Sequence, residues 1–339
     1  MINVGIIGCG YWGPNYVRII NDLKEAKVKY CCDLEQKNLI NIKKIYQEVK
    51  VSTDYKNILR DASLDAIIIT TPLNSHYEIV KVCLERGKHV LVEKPFTSSS
   101  REAGELIEIA QKNHLVLHVG HVYKYNPGIQ KLKMIIKKKE LGSLYYLYAQ
   151  RLGLGPIRKY ANVLWDLATH DIFIALYLLD DFPIKVTAVG EHYIQHDIKD
   201  LVFVSLHFSS RIICNICATW IAPEKIRKIS VVGSRGMAVF DDVNKSEMLK
   251  VYERKVNTEL LDSNPEYSDH QLVVSIGDVY FPQIEQSEPL KNQAKHFLEC
   301  ISGKKRPLSD AYEGLNVVRI LEAAEKSLKS RKTVSLKYR

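Results

Sequence analysis

The sequence lacks any apolar run long enough to cross a membrane. Its most apolar stretch, around Ala66–Ile69, falls far short of the roughly 20 residues that a spanning helix needs. The chain opens directly on a predicted strand, without the charged n-region and cleavage site of a secretory leader. Its 7 cysteines follow no regular framework of the kind that links small secreted domains. These absences argue against a membrane partner and a disulfide scaffold, and they favour the reducing cytoplasm.

Signals for a metal site are also scarce. Cys214 and Cys217 form a single C-x-x-C, but they lie in a segment that alternates like a strand, where residues three apart face opposite sides. A tetrahedral zinc site needs a second pair, and the sequence offers none. His114, His118 and His121 have a suggestive spacing, yet buried or strand-end histidines usually produce it. We therefore predict no metal.

The net charge of the chain indicates which kinds of ligand and partner it can bind. A surplus of 48 Lys and Arg over 39 Asp and Glu gives a formal charge of +9, which attracts anionic ligands such as phosphates and carboxylates. The basic residues concentrate in Lys131–Lys139 and Lys326–Arg339, and neither segment carries aromatic residues at a base-stacking spacing. The pattern is typical of solvated helix faces, so no nucleic-acid partner is predicted.

The length and the apolar pattern predict two domains, residues 1–121 and 122–339. In the first, apolar strands alternate with helical patterns, which is typical of a parallel α/β Rossmann sheet covered on both faces. In the second, alternating segments such as Leu201–Phe208 and Arg211–Trp220 predict a mostly antiparallel α+β sheet. Residues 253–289 are expected to form a long loop or arm, and the C-terminal helices after it can pack back on the first domain. The strands predicted in the first domain are Ile2–Ile7, Val28–Cys32, Asp65–Thr70, His89–Val92 and Leu115–Val119.

A glycine motif follows the first predicted strand. Gly8, Gly10 and Gly13 fit G-x-G-x-x-G and open a helix, where backbone N–H groups and the helix dipole can hold a pyrophosphate. Asp33 lies 20 residues beyond Gly13 at the end of the next strand, where a carboxylate accepts both ribose hydroxyls and repels a 2′-phosphate. The combination favours NAD over NADP. The alternative is an ordinary tight turn and a capping aspartate.

Two further loops follow strands. Thr70-Thr71-Pro72 and Glu93-Lys94-Pro95 open at the carboxyl ends of their strands, the edge at which such sheets bind ligands. The ammonium of Lys94 could donate to a substrate hydroxyl and to the oxyanion that develops from it. A surface lysine paired with Glu93 is the alternative.

A third candidate is the pair Asp166 and His170 near the start of a helix predicted over Val163–Leu179. A histidine at a helix N-terminus tends toward the neutral form, which suits a general base near neutral pH. Asp166 could orient that histidine or bind sugar hydroxyls. A contact that only stabilises the helix is the alternative.

Together, GCGYWG, the acidic stop at Asp33, TTPLNSH, EKP and D-x-x-x-H resemble the Gfo/Idh/MocA oxidoreductase family along nearly the whole chain. The resemblance implies an open, mostly antiparallel sheet in the second domain, which supports the substrate site and contacts within a homodimer or homotetramer. It implies Lys94, Asp166 and His170 as the catalytic residues. The cofactor-binding residues implied with them are Gly8, Gly10, Tyr11, Trp12, Gly13, Asp33, Thr71, Pro72, Asn74, His76, Glu93 and Lys94. The substrate-binding residues implied are Tyr123, Arg151, Asn162, Trp165, Asp166 and His170.

Within that family, the segments around Arg151 and from Asn162 to Asp171 are similar to members that oxidise the 3-hydroxyl of UDP-N-acetylglucosaminuronate for bacterial surface-sugar synthesis. The chain has Thr169 where such relatives tend to have a proline. The resemblance thus implies an NAD-dependent dehydrogenase of a nucleotide sugar. The alternatives are a dehydrogenase or ketoreductase of another sugar or inositol, and a non-catalytic NAD-binding sensor.

Overall fold

Contacts within the chain divide it into two units. The structure, a computed structural model, describes residues 1–158, 161–253, 255–256, 274–275 and 277–338. The N-terminal unit holds residues 1–125 and 287–322, and the C-terminal unit holds residues 126–286 and 323–339. The segment 287–322 therefore belongs with the N-terminal unit.

A parallel six-stranded sheet forms the centre of the N-terminal unit, in the order β3-β2-β1-β4-β5-β6. Its middle strand β4 is buried along its whole length, as is typical of a parallel sheet covered by helices on both faces, and all of its residues are apolar. The sequence predicted these strands to within two or three residues, but missed β3, which is short and polar. The strands are β1 Ile2–Ile7, β2 Ala26–Cys32, β3 Lys50–Ser52, β4 Ala66–Ile69, β5 His89–Glu93 and β6 Leu117–Gly120.

The helices of this unit follow the strands and bury one apolar face each. Helix α1 packs Tyr16, Ile19 and Ile20 into a core that also takes Phe297 from the segment that returns late in the chain. Helix α5 begins with a capping box, in which Ser99 and Glu102 bond each other's backbone N–H groups. The helices are α1 Gly13–Asp22, α2 Gln36–Ile45, α3 Tyr55–Ile58, α4 His76–Glu85, α5 Ser100–Lys112 and, after the C-terminal unit's helices α6 and α7, α8 Pro289–Ile301 and α9 Ala311–Ser330.

The described residues of the C-terminal unit form a nine-stranded sheet. Its order is β16-β13-β12-β11-β7-β10-β9-β8-β17, and its strand pairs are antiparallel except for β7 with β10. The predicted mostly antiparallel sheet is confirmed. The strands are β7 Leu144–Leu154, β8 Pro183–Glu191, β9 Leu201–Phe208, β10 Ile213–Thr219, β11 Ile221–Gly233, β12 Gly236–Asp241, β13 Leu249–Tyr252, β16 Val279–Tyr280 and β17 Val334–Ser335, with a separate pair β14 Lys255–Val256 and β15 Val274–Ser275.

Helices cover one face of this sheet, and among the described residues the other face carries exposed side chains. Along β7, Leu147 and Ala149 are buried, whereas Tyr146 and Tyr148 on the alternate face are exposed. Of the predicted arm 253–289, residues 254, 257–273 and 276 lie outside the described residues, and β16 pairs with β13 at the sheet edge. The covering helices are α6 Pro127–Lys137 and α7 Thr169–Leu179.

Candidate active site

The glycine turn after β1 is shaped by close backbone contacts. Gly8 has φ +93°, in the left-handed region, and a Cβ there would lie 2.8 Å from the carbonyl carbon of Thr70. A Cβ on Gly13 would collide with the carbonyl oxygen of Gly8. Helix α1 therefore starts directly on the turn.

Space is left on the other side of this turn. A Cβ on Gly10 would meet nothing within 4 Å, and α1 begins without a hydrogen bond from a capping side chain. Unsatisfied N–H groups at a helix start bind phosphate well. The turn thus fits the pyrophosphate of a dinucleotide.

Asp33 lies beside this turn, at the end of β2. Its Oδ2 accepts the backbone N–H of Cys9 at 2.5 Å, and its Oδ1 accepts the backbone N–H of Glu35 at 2.7 Å. Two N–H donors hold the carboxylate in one orientation. This arrangement fits a ribose with free hydroxyls and disfavours a 2′-phosphate.

Two aromatic side chains project from the same turn. Tyr11 and Trp12 are 81% and 42% exposed, and their rings meet edge to face with centroids 5.2 Å apart. Exposed aromatic groups of this size at a ligand-binding turn are available to cover a bound molecule. Their predicted role in cofactor binding stays a prediction.

The loops after β4 and β5 are joined by a histidine. His76 is buried, with Nδ1 2.8 Å from the Pro95 oxygen and Nε2 2.8 Å from the Thr71 oxygen. Burial lowers the pKa of His76. The imidazole thus links the two loops through their backbones, while Pro72 and Asn74 are exposed on the first of them.

Lys94 follows β5 next to a bonded carboxylate. Glu93 accepts the hydroxyl of Tyr16 at 2.8 Å on Oε1 and the backbone N–H of Lys94 at 3.3 Å on Oε2. The Lys94–Pro95 peptide bond is cis. The Tyr16 contact was not predicted, because its partners are 77 residues apart in the sequence.

In the C-terminal unit, Asp166 and His170 do not share a regular α-helix. Leu164–Ala168 form a π-helical turn, in which the N–H of Thr169 reaches back five residues to the Leu164 oxygen, and α7 begins only at Thr169. Such turns often mark functional sites. His170 is the second residue of α7, and its predicted role as a general base stays a prediction.

Asp166 is held by groups that the sequence analysis missed. The indole Nε1 of Trp220 donates to Asp166 Oδ2 at 3.1 Å, and Arg158 Nε lies 3.7 Å from the same oxygen. Trp220 follows β10 and is buried, so it fixes the carboxylate against the sheet. A contact spanning 54 residues carries no local sequence signal.

Two other predicted substrate residues have structural partners. Arg151 and Asp171 are both buried and form a bidentate pair, with Nε to Oδ2 at 2.7 Å and Nη2 to Oδ1 at 2.9 Å. Asn162 donates to Glu325 at 3.0 Å and accepts the N–H of Trp165 at 3.3 Å, at the start of the π turn. Their predicted contacts with substrate stay predictions.

The remaining histidines and cysteines that the structure describes form no cluster suited to a metal ion. Burial lowers the pKa of His118 and His121 to about 3, so both rings are neutral. The described part of the chain contains no group of three or more His, Cys, Asp or Glu side chains that could hold a metal ion. Tyr123 is buried in a short 3₁₀ helix close to His121 in sequence. Among the described helices, none is long and apolar enough to span a membrane.

Comparison with known proteins covers both units. Residues 2–121 match a model described as an oxidoreductase family with an NAD-binding Rossmann fold, and residues 158–336 match the C-terminal alpha/beta domain of the same family. UDP-N-acetylglucosamine 3-dehydrogenase of Acidithiobacillus ferrooxidans is 26% identical over 318 residues, covering 94% of this chain and 94% of that protein. Myo-inositol 2-dehydrogenase of Thermotoga maritima is 22% identical over 346 residues, covering 99% and 98%.

Solved structures agree in fold. The structure of the Acidithiobacillus ferrooxidans enzyme has a TM-score of 0.82 at 23% identity and covers 97% of this chain and 98% of that one. GenD2 from gentamicin A biosynthesis, solved in complex with NAD, has a TM-score of 0.83 at 19% identity and covers 99% and 97%.

The geometry of Asp33 predicts how the chain chooses its cofactor. Asp33→Asn keeps an acceptor oxygen but removes the charge that repels a 2′-phosphate. We expect NAD affinity to fall about 10- to 100-fold, as for loss of hydrogen bonds worth about 1.5–3 kcal/mol, and the preference for NAD over NADP to shrink. Calorimetric titration with both cofactors measures this. Glu35→Gln, at an exposed neighbour, is the control, and unchanged selectivity in Asp33→Asn would contradict the assignment.

Proposed function

We propose that this chain, which belongs to the Gfo/Idh/MocA oxidoreductase family, oxidises the C3 hydroxyl of a UDP-N-acetylhexosamine or of its uronate. Its N-terminal domain is an NAD-binding Rossmann domain, and its relatives in the family include sugar and inositol dehydrogenases. The substrate and the roles of the site residues are our proposal.

The position of Lys94 carries the proposal. Lys94 follows β5 at the carboxyl edge of the parallel sheet, the same edge at which the glycine turn follows β1. Ligands of open α/β sheets bind along this edge. An ammonium next to a dinucleotide site can donate a hydrogen bond to the oxygen of a hydroxyl that is being oxidised.

In the proposed reaction, bound NAD+ supplies the acceptor for the hydride that leaves C3. His170 accepts the proton of the C3 hydroxyl, so the products are the 3-keto sugar, NADH and one proton. Lys94 hydrogen-bonds the same oxygen and stabilises the negative charge that develops on it. Asp166, fixed by Trp220, orients His170 or a sugar hydroxyl.

The choice of a nucleotide sugar rests on two supports. The relative covering 94% of this chain is named a UDP-N-acetylglucosamine 3-dehydrogenase, and the formal charge of +9 suits a diphosphate-bearing substrate. The 3-keto product of such a nucleotide sugar would serve bacterial surface-sugar synthesis. An inositol or another free sugar is the second candidate, because a myo-inositol 2-dehydrogenase matches 99% of the chain.

A substrate panel separates these candidates. The chain with NAD+ is offered UDP-N-acetylglucosamine, its uronate and myo-inositol, and NADH formation is followed by absorbance. We expect turnover with a UDP-sugar and not with inositol. If the chain turns over inositol and neither UDP-sugar, inositol takes the place of the proposed substrate. If it turns over none of the three compounds, the alternative function of a non-catalytic NAD-binding sensor is favoured.

Removal of Lys94 or His170 tests the residue assignments. Lys94→Ala and His170→Ala should each lower kcat by on the order of 100-fold or more, because each loses a group that interacts with the reacting oxygen, while NAD still binds. Steady-state kinetics and NAD titration measure the two effects. The matched controls are Lys37→Ala and His196→Ala, whose side chains are 77% and 88% exposed. Parental kcat in both site variants would refute the assignment.

We also propose that the exposed face of the nine-stranded sheet forms a contact between copies of the chain. Tyr146 and Tyr148 of β7 and Phe203 of β9, two strands away, are 46%, 38% and 47% exposed on that face, and exposed large apolar side chains on one face often mark an interaction surface. Tyr148→Glu should weaken the dimer or tetramer in sedimentation equilibrium. A wild-type chain that sediments as a monomer would contradict this.

A further inference from the structure

A buried phenol lies behind the EKP loop. Tyr16, on the second turn of α1, is 0% exposed and donates its hydroxyl hydrogen to Glu93 Oε1 at 2.8 Å. Burial, and next the neighbouring Glu93 charge, raise the pKa of Tyr16 well above its usual value. The phenol therefore stays protonated and acts only as a donor to this carboxylate.

The Glu93 carboxylate is confined on its other sides as well. Its Oε2 accepts the backbone N–H of Lys94, and a Cβ on Gly120 would lie 3.0 Å from that same oxygen. Burial raises the pKa of Glu93, whereas the Tyr16 hydrogen bond and the charge of Lys94 act in the opposite direction. Tyr16 thus helps to keep a partly buried carboxylate both oriented and charged beside Lys94.

Three other titratable groups belong to the surroundings of Lys94 and Tyr16. His76, at the start of α4, and His121, after β6, are both affected by the charge of Lys94, and burial is the main cause that lowers the pKa of each. Tyr125, whose hydroxyl lies 3.0 Å from His118 Nε2, also affects Tyr16, and burial raises the pKa of Tyr125. An imidazole carries no negative charge in either its neutral or its protonated form and the phenol stays protonated, so none of the three groups can replace the negative charge of Glu93.

We infer that Tyr16 is a positioning residue for the reaction: its hydroxyl orients the Glu93 carboxylate, and that carboxylate holds the Lys94 ammonium ready to hydrogen-bond the substrate oxygen. The inference rests on the proposed function of Lys94. It extends the chemical site to a residue of α1 that touches neither sugar nor cofactor. Tyr16 lies three positions after Gly13, so the helix that starts at the dinucleotide turn also supports the lysine.

The inference has a definite pH signature. A carboxylate held next to an ammonium raises the pKa of that ammonium, and the Tyr16 hydroxyl helps to hold Glu93 in its orientation. In Tyr16→Phe the carboxylate is no longer fixed by that hydroxyl, so its effect on the Lys94 amine becomes smaller and the pKa of that amine falls. Lys94 acts in its charged form, and activity is lost as the pH rises through its pKa. Tyr16→Phe should therefore move the alkaline limb of kcat/KM to lower pH, by about one pH unit.

Tyr16→Phe removes one oxygen atom and leaves the ring in the core. We expect kcat to fall about tenfold, with the KM for the sugar and the Kd for NAD within about twofold of the parent, because positioning acts on the chemical step. The matched control is Tyr30→Phe, which breaks a phenol-to-carboxylate bond of 2.9 Å, to Asp61. Tyr30→Phe should leave kcat and the pH profile unchanged, and an equal shift in both variants would overturn the inference.

Glu93→Gln provides the second test. It removes the charge outright and should lower the alkaline limb at least as far as Tyr16→Phe does. If Tyr16 acts through Glu93, adding Tyr16→Phe to Glu93→Gln should cause no further shift of the limb. Shifts that add in the double variant would overturn the inference.

A readout that needs no turnover separates this inference from the proposed function. Competitive labelling with acetic anhydride across pH, read by mass spectrometry of the peptide that holds Lys94, reports the pKa of that amine directly. A lower Lys94 pKa in Tyr16→Phe, but not in Tyr30→Phe, supports the inference even if no sugar is oxidised. An unchanged Lys94 labelling profile overturns it, whatever the sugar assays show.

Discussion

The N-terminal unit depends on one close approach of backbone to backbone, that of α1 to the turn at Gly8. Because Gly13 has no side chain, the helix can start against the Gly8 carbonyl oxygen, which also accepts the Thr70 hydroxyl at 2.5 Å. From this fixed start, α1 places Tyr16 against Glu93, and the turn places the Cys9 N–H against Asp33. The proposed dinucleotide site and the proposed support of Lys94 therefore both depend on where α1 starts.

The C-terminal unit fixes its functional helix in a different way. A bidentate ion pair between Arg151 of β7 and Asp171 of α7 is buried, and burying two charges is favourable only when the geometry satisfies both. The pair anchors α7 to the sheet one residue after His170. On the preceding π turn, Trp220 holds Asp166. A strand and a helix that carry predicted site residues are thus held in register by the Arg151–Asp171 pair and by the Trp220–Asp166 bond.

Features that depend on residues close together in the sequence were predicted, and features that depend on distant residues were not. The strands of the parallel sheet, the turn at Gly8 and the carboxylate at Asp33 are set by neighbours within a few residues or by one strand-turn-helix unit, and the structure places them as expected. The contacts of Tyr16 with Glu93 and of Trp220 with Asp166 join residues 77 and 54 positions apart. They arise from tertiary packing, which periodicity does not encode. The π turn was missed for a related reason, since its residues have the same apolar spacing as an α-helix.

The three glycines of the turn differ in what surrounds them, and the difference shows which of them the fold itself requires. At positions 8 and 13 the protein itself fills the space around the backbone, whereas at position 10 nothing of the protein lies within 4 Å of an added Cβ. In a library of variants selected only for folding, alanine would be tolerated at position 10 and absent from positions 8 and 13. The first and third glycines are therefore required by the packing of the backbone, whereas the packing around the middle one leaves room for a side chain.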